Sequence, residues 1–462
     1  MRNWLQLTVA LALAPALVAP RAQATEVRRP RVVLISIDGL VPEIIVPSAD
    51  GPRVPALAAL RDAGSYADGV EGVYPSLTYP SHTAIATGCR PAKHGIMSNT
   101  AFDPERGSPR WLGSATDIKV QTLWDAAREA GLRTAALSWP VTVGARIDFL
   151  IPEGQPASTK PAWAEAARRM STPGLVDEVL AVTGGENPAG SSDMPGRDRF
   201  FAAAAAHVIK TRKPDLLLLH LVQGDAAHHA YGRGSAEARR AFEAIDGHVA
   251  EVVRAIDEAG LRSETLIVVT GDHGFRRVHS AFQPNVVLRQ AGLMRTDAQD
   301  RIVEWRAAAH KAAIKLRDPA DAATAARVTA LFRGLAEGPW RGILRVLDRD
   351  EVRALGGDTD ALLLLEPIDG YAFDDGFRED AFLVASATRG QHGYLPSDPV
   401  MRTGFLASGA GIRAGLRLPL VRMIDIGPTL ARARGLALPQ AEGQPMPGLL
   451  APAAAQAAAG AR

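Results

Sequence analysis

The sequence predicts an α/β fold, with a central, mostly parallel sheet, helices on both faces and a small inserted subdomain. Three observations carry this. Short apolar runs bounded by turn residues alternate with stretches of helical period. The runs are apolar on both alternating sets of positions, as strands covered on two faces must be. The rhythm breaks between residues 281 and about 388 and then resumes.

Each element follows from local pattern. "RVVLISI", Arg31 to Ile37, is a continuous apolar, β-branched run and reads as a buried strand. Val54 to Ala63 has helical period and is stopped by Gly64, and Thr122 to Ala130 is stopped by Gly131. Thr134 to Leu137 is a short strand, and Arg199 to Thr211 is helical. "DLLLLHL", Asp215 to Leu221, is a strand, Ala236 to Ala259 a helix ending at Gly260, and "TLIVVT", Thr265 to Thr270, a strand. This βαβα order argues for a parallel sheet. Residues 281–388 carry short mixed segments and read as the insertion, and "RTGFLASG", residues 402–409, returns to strand pattern. One main domain, carrying the insertion, is expected over residues 25–450. The alanine-rich tail, 451–462, lacks a periodic pattern and reads as disordered.

Composition narrows the function classes. With 47% hydrophobic and 22% charged residues in a chain of 462, a sizeable core is expected. The formal net charge of +2 offers no electrostatic footprint for a nucleic-acid polymer and no polybasic membrane patch. A basic start at Arg2, an apolar run from Trp4 to Pro20 and the small-x-small triplet Ala22-Gln23-Ala24 form a secretory signal peptide, residues 1–24. The run is short and interrupted by Pro15 and Pro20, which favours cleavage over a lasting membrane anchor. The mature protein is therefore expected in a bacterial periplasm or the medium. Cys89 is the single cysteine, so no intramolecular disulfide forms.

Acids and histidines cluster at predicted strand ends, where open α/β sheets build their sites. Asp38 follows the first strand, in "ISIDG". Asp225 and His229 follow "LLLLHL", in "QGDAAHHAYG". Asp272 and His273 follow "LIVVT", in "TGDHG". His392 lies in "GQHGY", ahead of the late strand. An aspartate after a strand is by itself more often a turn or cap residue. Three aspartates and three histidines delivered to one edge are enough to hold two divalent ions with N/O coordination, which suits zinc.

With these stretches in view, together with "YPSLTYPSHTAIATGCRPAKHGI", the chain resembles the nucleotide pyrophosphatase/phosphodiesterase family of the alkaline phosphatase superfamily. The matching motifs run from Ile35 to Tyr394 in the family's order. The resemblance implies an alkaline-phosphatase-like fold and two Zn²⁺ per chain. It assigns Asp225, His229 and His392 to one ion. Asp38, Asp272 and His273 fall to the other, with Thr78 completing its shell. It makes Thr78 the nucleophile and Asn99 the residue that binds a phosphoryl oxygen. Thr78 lies just before a helix expected to start near Pro80 or Ser81, and a helix N-terminus favours the negative charge of alkoxide and phosphoryl oxygens. The implied activity is hydrolysis of a small-molecule phosphodiester through a phosphothreonine-type intermediate.

The remaining residues of the match read as supports. Ser76, Ser81, Thr83 and Thr87 are caps or packing groups, and His82 and His94 are structural. His228 is an exposed neighbour of His229 or a support behind it. Trp139 is either a stacking surface for the substrate's organic group or a core residue. Cys89-Arg90-Pro91-Ala92-Lys93 faintly resembles the sulfatase maturation motif C-x-P-x-R. Its last residue is lysine, however, and threonine occupies the nucleophile position, so Cys89 reads as a small buried residue. Two rival functions stay open: a phosphomonoesterase of the same superfamily, and a non-catalytic metal-binding protein. The monoesterases that use threonine carry a Lys-x-Arg pair, whereas "SWPVTVGARIDF" has none. A monoesterase would need a cation from elsewhere, with Arg146 or Lys160 as candidates.

Overall fold

The computed structural model describes residues 29–46, 51–105, 110–153, 160–185, 193–299, 301–378 and 380–452. The expected signal peptide and all but the first two residues of the expected tail lie outside these. Among the described residues no helix is long and apolar enough to cross a membrane.

Eight strands form the central sheet. In chain order the first six are β1 (Arg31–Ile37), β2 (Ser65–Glu71), β3 (Thr134–Leu137), β4 (Phe149–Ile151), β5 (Leu216–Leu221) and β6 (Thr265–Thr270). The spatial order is Arg417–Arg422, β2, Thr403–Gly409, β6, β1, β5, β3, β4. β1 lies at the centre, parallel to β5 with Ile35 opposite Leu219, and parallel to β6 with Ile35 opposite Val269. Its alternate residues feed two cores. Val33, Ile35 and Ile37 pack with the helices Met194–Arg212 and Ala236–Glu258 on one face. Val32 and Leu34 pack with Thr78–Thr87 and Ile426–Arg434 on the other. Each of these buried side chains contributes roughly 1.5–3 kcal/mol of transfer free energy, which is why the run is apolar throughout.

One strand runs against the rest. Thr403–Gly409 is antiparallel to both β2 and β6. The chain reaches it from the carboxyl edge, where Gly404 N donates to Leu40 O at 2.8 Å, so it can only descend.

The insertion has its own sheet and core. Four antiparallel strands lie in the order Ala307–His310, Ala313–Leu316, Leu363–Pro367, Leu344–Asp348. Helix Ala322–Glu337 adds Val328 and Phe332 to an apolar cluster with Ile314, Leu363 and Leu365. A linking strand, Arg276–Phe282, pairs with Gly370–Phe373, Leu383–Ala385 and Gly390–Gln391, and so returns the chain to the carboxyl edge just before His392.

Candidate active site

β1, β5 and β6 are neighbours, so whatever follows them converges. Asp38 N donates to Leu221 O at 2.8 Å, fixing the β1 exit beside the β5 exit. The next residue must turn sharply. Gly39 has φ +69°, and a Cβ there would lie 2.8 Å from the Phe275 ring, so glycine is required. Its N–H donates to Asp272 Oδ1 at 3.1 Å, tying the β1 and β6 exits together. Asp225 and His229 are one turn apart on the helix Gln223–Tyr231, with Asp225 Oδ1 3.2 Å from His229 Nε2. His392 arrives from the insertion and stacks on His273 at 3.5 Å, with 9° between the rings.

All six Asp and His residues singled out in the sequence meet here. The ligand atoms of Asp38, Asp272 and His273 lie within 4.8 Å of one another, as do those of Asp225, His273 and His392. His229 Nε2 and His392 Nε2 both approach Asp225 Oδ1, at 3.2 and 3.5 Å. The fit to metal rests on the acceptors: Asp38 Oδ1, Asp225 Oδ1 and Asp272 Oδ2 are buried without a hydrogen-bond donor among the described residues. Buried carboxylate oxygens in that state call for a cation.

Electrostatics agree. Burial pushes the Asp38 carboxyl well above its ordinary value, and Asp272 and Asp225 push it further. Burial raises Asp272 to about 7, against the opposing pull of the Gly39 N–H. Burial would raise Asp225 too, but His229 and His392 outweigh it and hold it low. Burial lowers His392 to about 4 and His273 well below its usual range, so both are neutral and able to ligate.

The imidazoles are held by their other nitrogens, as metal-ligating histidines are. His229 Nδ1 donates to Gly390 O at 2.9 Å and His392 Nδ1 to Ser76 O at 2.9 Å. Ser76 Oγ also donates to Tyr394 O at 2.9 Å and accepts from Gly393 N at 3.1 Å, locking the Thr78 and His392 loops together.

Thr78 is the first residue of its helix, Thr78–Thr87, two positions ahead of the expected Pro80 start. Leu77 provides no side-chain cap, and Asn99 fills that role: its Oδ1 accepts from Tyr79 N at 2.8 Å. Thr78 Oγ1 lies 3.4 Å from His273 Nε2. Thr83 and Thr87 back-bond to Tyr79 O and Thr83 O and play no part in the site. Cys89 is buried.

Sequence reasoning missed His220. Its pattern in "LLLLHL" is that of a core strand, and the one signal is an imidazole in an otherwise apolar run. Its Nε2 lies 3.1 Å from Asp38 Oδ2, and its ring packs 4.3 Å from that of His82. His82 donates from Nδ1 to Thr78 O at 2.8 Å, and burial holds its pKa at about 3. His228 is not exposed: it is buried between Phe242 and Phe275.

Trp139 corrects the stacking alternative. It is 0% exposed, lines no part of the cavity beside the site, and packs edge-on against His82 at 4.8 Å. It supports the site from within the core. Trp139→Ala is expected to cost about 3–5 kcal/mol, read as a lower urea midpoint. A folded Trp139→Phe variant with raised KM for a diester would instead restore the stacking role.

A cavity of about 380 Å³ opens beside these groups, between the carboxyl edge of the sheet and the insertion. Asn99, His229 and His392 line one side, and His310, Lys311 and Phe373 of the insertion line the other. Neither cation expected as a candidate lines this cavity among the described residues. Arg146 lines a separate cavity, and the Lys160 side chain is outside what the structure describes.

Comparison with known proteins places this geometry. The profile of the family described as type I phosphodiesterase / nucleotide pyrophosphatase matches residues 32–395. Human ectonucleotide pyrophosphatase/phosphodiesterase family member 1 is 24% identical over 260 residues, 54% of this chain and 24% of that protein. Venom phosphodiesterase 2 of Crotalus adamanteus is 23% identical over 236 residues, 49% of this chain and 24% of that protein. The chain thus spans about a quarter of the length of these relatives. The fold is shared with murine ectonucleotide pyrophosphatase/phosphodiesterase 5, at TM-score 0.63 and 18% identity, covering 90% of this chain and 97% of that one. A further structure of that murine protein, at TM-score 0.62, is an inactive threonine-to-alanine variant in complex with AMP. With the profile matched across most of its length, the chain belongs to the type I phosphodiesterase / nucleotide pyrophosphatase family.

Proposed function

We propose that the protein is an exported zinc-dependent phosphodiesterase and nucleotide pyrophosphatase that attacks small-molecule phosphodiesters with Thr78. The observation that carries this is the convergence of three carboxylates, each with a buried, unpartnered oxygen, and three imidazoles, with the Thr78 hydroxyl beside His273. Asp225, His229 and His392 would hold one Zn²⁺, and Asp38, Asp272 and His273 the other, with Thr78 beside it. When bound, two such ions lower the pKa of a hydroxyl and neutralise phosphoryl oxygens.

The chain's own residues do the rest. The helix that begins at Thr78 presents its N-terminal end to the reacting group, which favours the negative charge that develops there. Thr78 Oγ1 attacks phosphorus, the bond to the leaving oxygen breaks, and water then cleaves the Thr78 phosphoester. Asn99 positions the phosphoryl group: its Oδ1 is occupied by Tyr79 N–H, so its amide N–H groups remain to donate. Export rests on the signal-peptide pattern of residues 1–24. A small phosphorylated substrate accords with the AMP bound by the murine neighbour.

Asn99→Asp separates capping from binding. The carboxylate keeps an acceptor for Tyr79 N–H but sets negative charge against the phosphoryl oxygens. kcat/KM is expected to fall about 10²-fold or more with little change in Tm. The function is tested by comparing the p-nitrophenyl monoester, the bis-p-nitrophenyl diester and the p-nitrophenyl ester of thymidine 5′-monophosphate, with zinc supplied. Faster turnover of the diesters supports the proposal. Preference for the monoester transfers it to the phosphatase reading, which the Lys311 ammonium in the cavity favours.

A further inference from the structure

Lys311 sits where the backbone disfavours it. It is the first residue of the two-residue loop that joins the antiparallel strands Ala307–His310 and Ala313–Leu316, with His310 paired to Ala313. Its φ is +54°, whereas Ala312 is not in the left-handed region. A two-residue hairpin loop with positive φ at its first position takes glycine there. A lysine held in this conformation is an outlier of the kind that gathers at ligand-binding sites.

The loop faces the catalytic edge. His310 Nε2 lies 3.0 Å from Thr100 Oγ1 and 3.3 Å from Ser98 Oγ, so the hairpin tip is docked on the segment that carries Asn99. Lys311 lines the same cavity as Asn99, His229 and His392. The cavity's other lysine is committed, since Lys315 Nζ pairs with Asp358 Oδ2 at 2.5 Å. Lys311 has no such partner among the described residues. The Asp375 carboxylate accepts from its backbone N–H.

We propose that Lys311 is a specificity-determining residue which grips negative charge beyond the single charge of a phosphodiester. That charge is an additional anionic phosphate oxygen, carried either on a second phosphoryl group, as in a phosphoanhydride, or on the reacting group of a monoester. The proposal rests on the phosphodiesterase reading of the neighbouring site. It gives the insertion a role, because the ammonium reaches the cavity only through the hairpin tip. It also replaces the cation that the missing Lys-x-Arg pair would have supplied.

The test uses Lys311→Gly, which removes the ammonium and puts in the residue the turn prefers, and Lys311→Arg, which keeps the charge. kcat/KM is measured for ATP, for p-nitrophenyl phosphate and for the p-nitrophenyl ester of thymidine 5′-monophosphate. In Lys311→Gly the loss for at least one of the first two should exceed the loss for the singly charged ester by about 10-fold or more, the scale of a charge-assisted hydrogen bond. Selective loss with ATP puts the gripped oxygen on the second phosphoryl group, and selective loss with the monoester puts it on the reacting one. Lys311→Arg should restore most of the loss, and Lys311→Gly should melt no lower than the parent. Binding of ADP to a Thr78→Ala background, read by titration calorimetry, reports the same contact without turnover, and should weaken by about 10-fold when Lys311→Gly is added. Equal losses on all three substrates, no loss on any, or unchanged ADP affinity overturns the proposal, as does a Thr78→Ala protein that fails to bind ADP. ADP binding by Thr78→Ala, with a parent that turns over none of the three substrates, defeats the phosphodiesterase reading alone.

Discussion

Thr78→Ala abolishes turnover and leaves the protein folded. The two halves of this expectation have different physical sources. Among the described residues the only side-chain hydrogen-bond contact of the hydroxyl is with His273 Nε2, at 3.4 Å, which is long for an O–H bond to nitrogen. Its loss, with that of one methyl group, costs about 1–2 kcal/mol. The helix start does not depend on it, because the first-turn N–H of Tyr79 is capped by Asn99 from outside. The rate depends on it, because the hydroxyls of Ser76, Thr83 and Thr87 in the same stretch are committed elsewhere. Ser76 Oγ is committed between Tyr394 O and Gly393 N, while Thr83 and Thr87 back-bond within the helix. Removal of a nucleophile costs on the order of 10⁴-fold or more in kcat. Thr78→Ser keeps the oxygen and should keep part of the rate. Steady-state kinetics beside a melting curve decide the matter. A Thr78→Ala enzyme with near-parental kcat would hand the role of nucleophile to water.

The site was more legible in the sequence than the frame that carries it. Asp38, Asp225, Asp272 and His273 follow strands that are apolar on both faces, and an acid at the end of such a run has one edge to occupy. β2 was not legible. "SYADGVE" has two acids, a glycine and mixed burial, because the strand lies near the sheet's edge and needs few apolar residues. The direction of Thr403–Gly409 was equally hidden, since local pattern records burial and not which edge the chain enters from. The misplaced start of the Thr78 helix has a specific cause. Pro80 marks a first turn, but the cap that ends the loop comes from Asn99, which is remote in sequence. His220 and Trp139 show the limit at the site itself. His220 is not singled out in the sequence and Trp139 is left between two roles, and what decides both is the packing of His82 between them. Lys311 illustrates the same point, because nothing in "AAAHKAAIK" shows that its lysine turns a corner over the catalytic edge.

Zinc added to metal-depleted protein raises Tm, releases protons and restores the activity that chelation removes. Asp38 and Asp272 are buried together, with Asp225 joined to them through His273. Without a cation, burial and mutual repulsion hold the Asp38 carboxyl well above its ordinary range, and burial holds Asp272 at about 7. At pH 6 the metal-free site therefore keeps protons on carboxylates that must be ionised to ligate, and loading displaces them. The sign of the stability effect follows from the same shifts. A carboxyl whose folded pKa is raised contributes stability that is fully present below its unfolded value. That stability is lost as pH climbs through the folded value, here from about 4 to about 7. This carboxyl contribution to the metal-free protein is thus lost by about pH 7, while His273 and His392, neutral in the folded site, contribute in the opposite sense and hold no proton that loading must displace. The gain in Tm on loading is consequently larger at pH 8 than at pH 6. At a thousandfold excess over Kd, binding contributes about 4 kcal/mol, roughly 5 °C for a chain of this size. Titration calorimetry in two buffers of different ionisation enthalpy counts the protons, and the same titration gives a stoichiometry expected to be two. A Tm indifferent to chelator at both pH values, in protein that stays active, would leave the six ligands without a metal to hold.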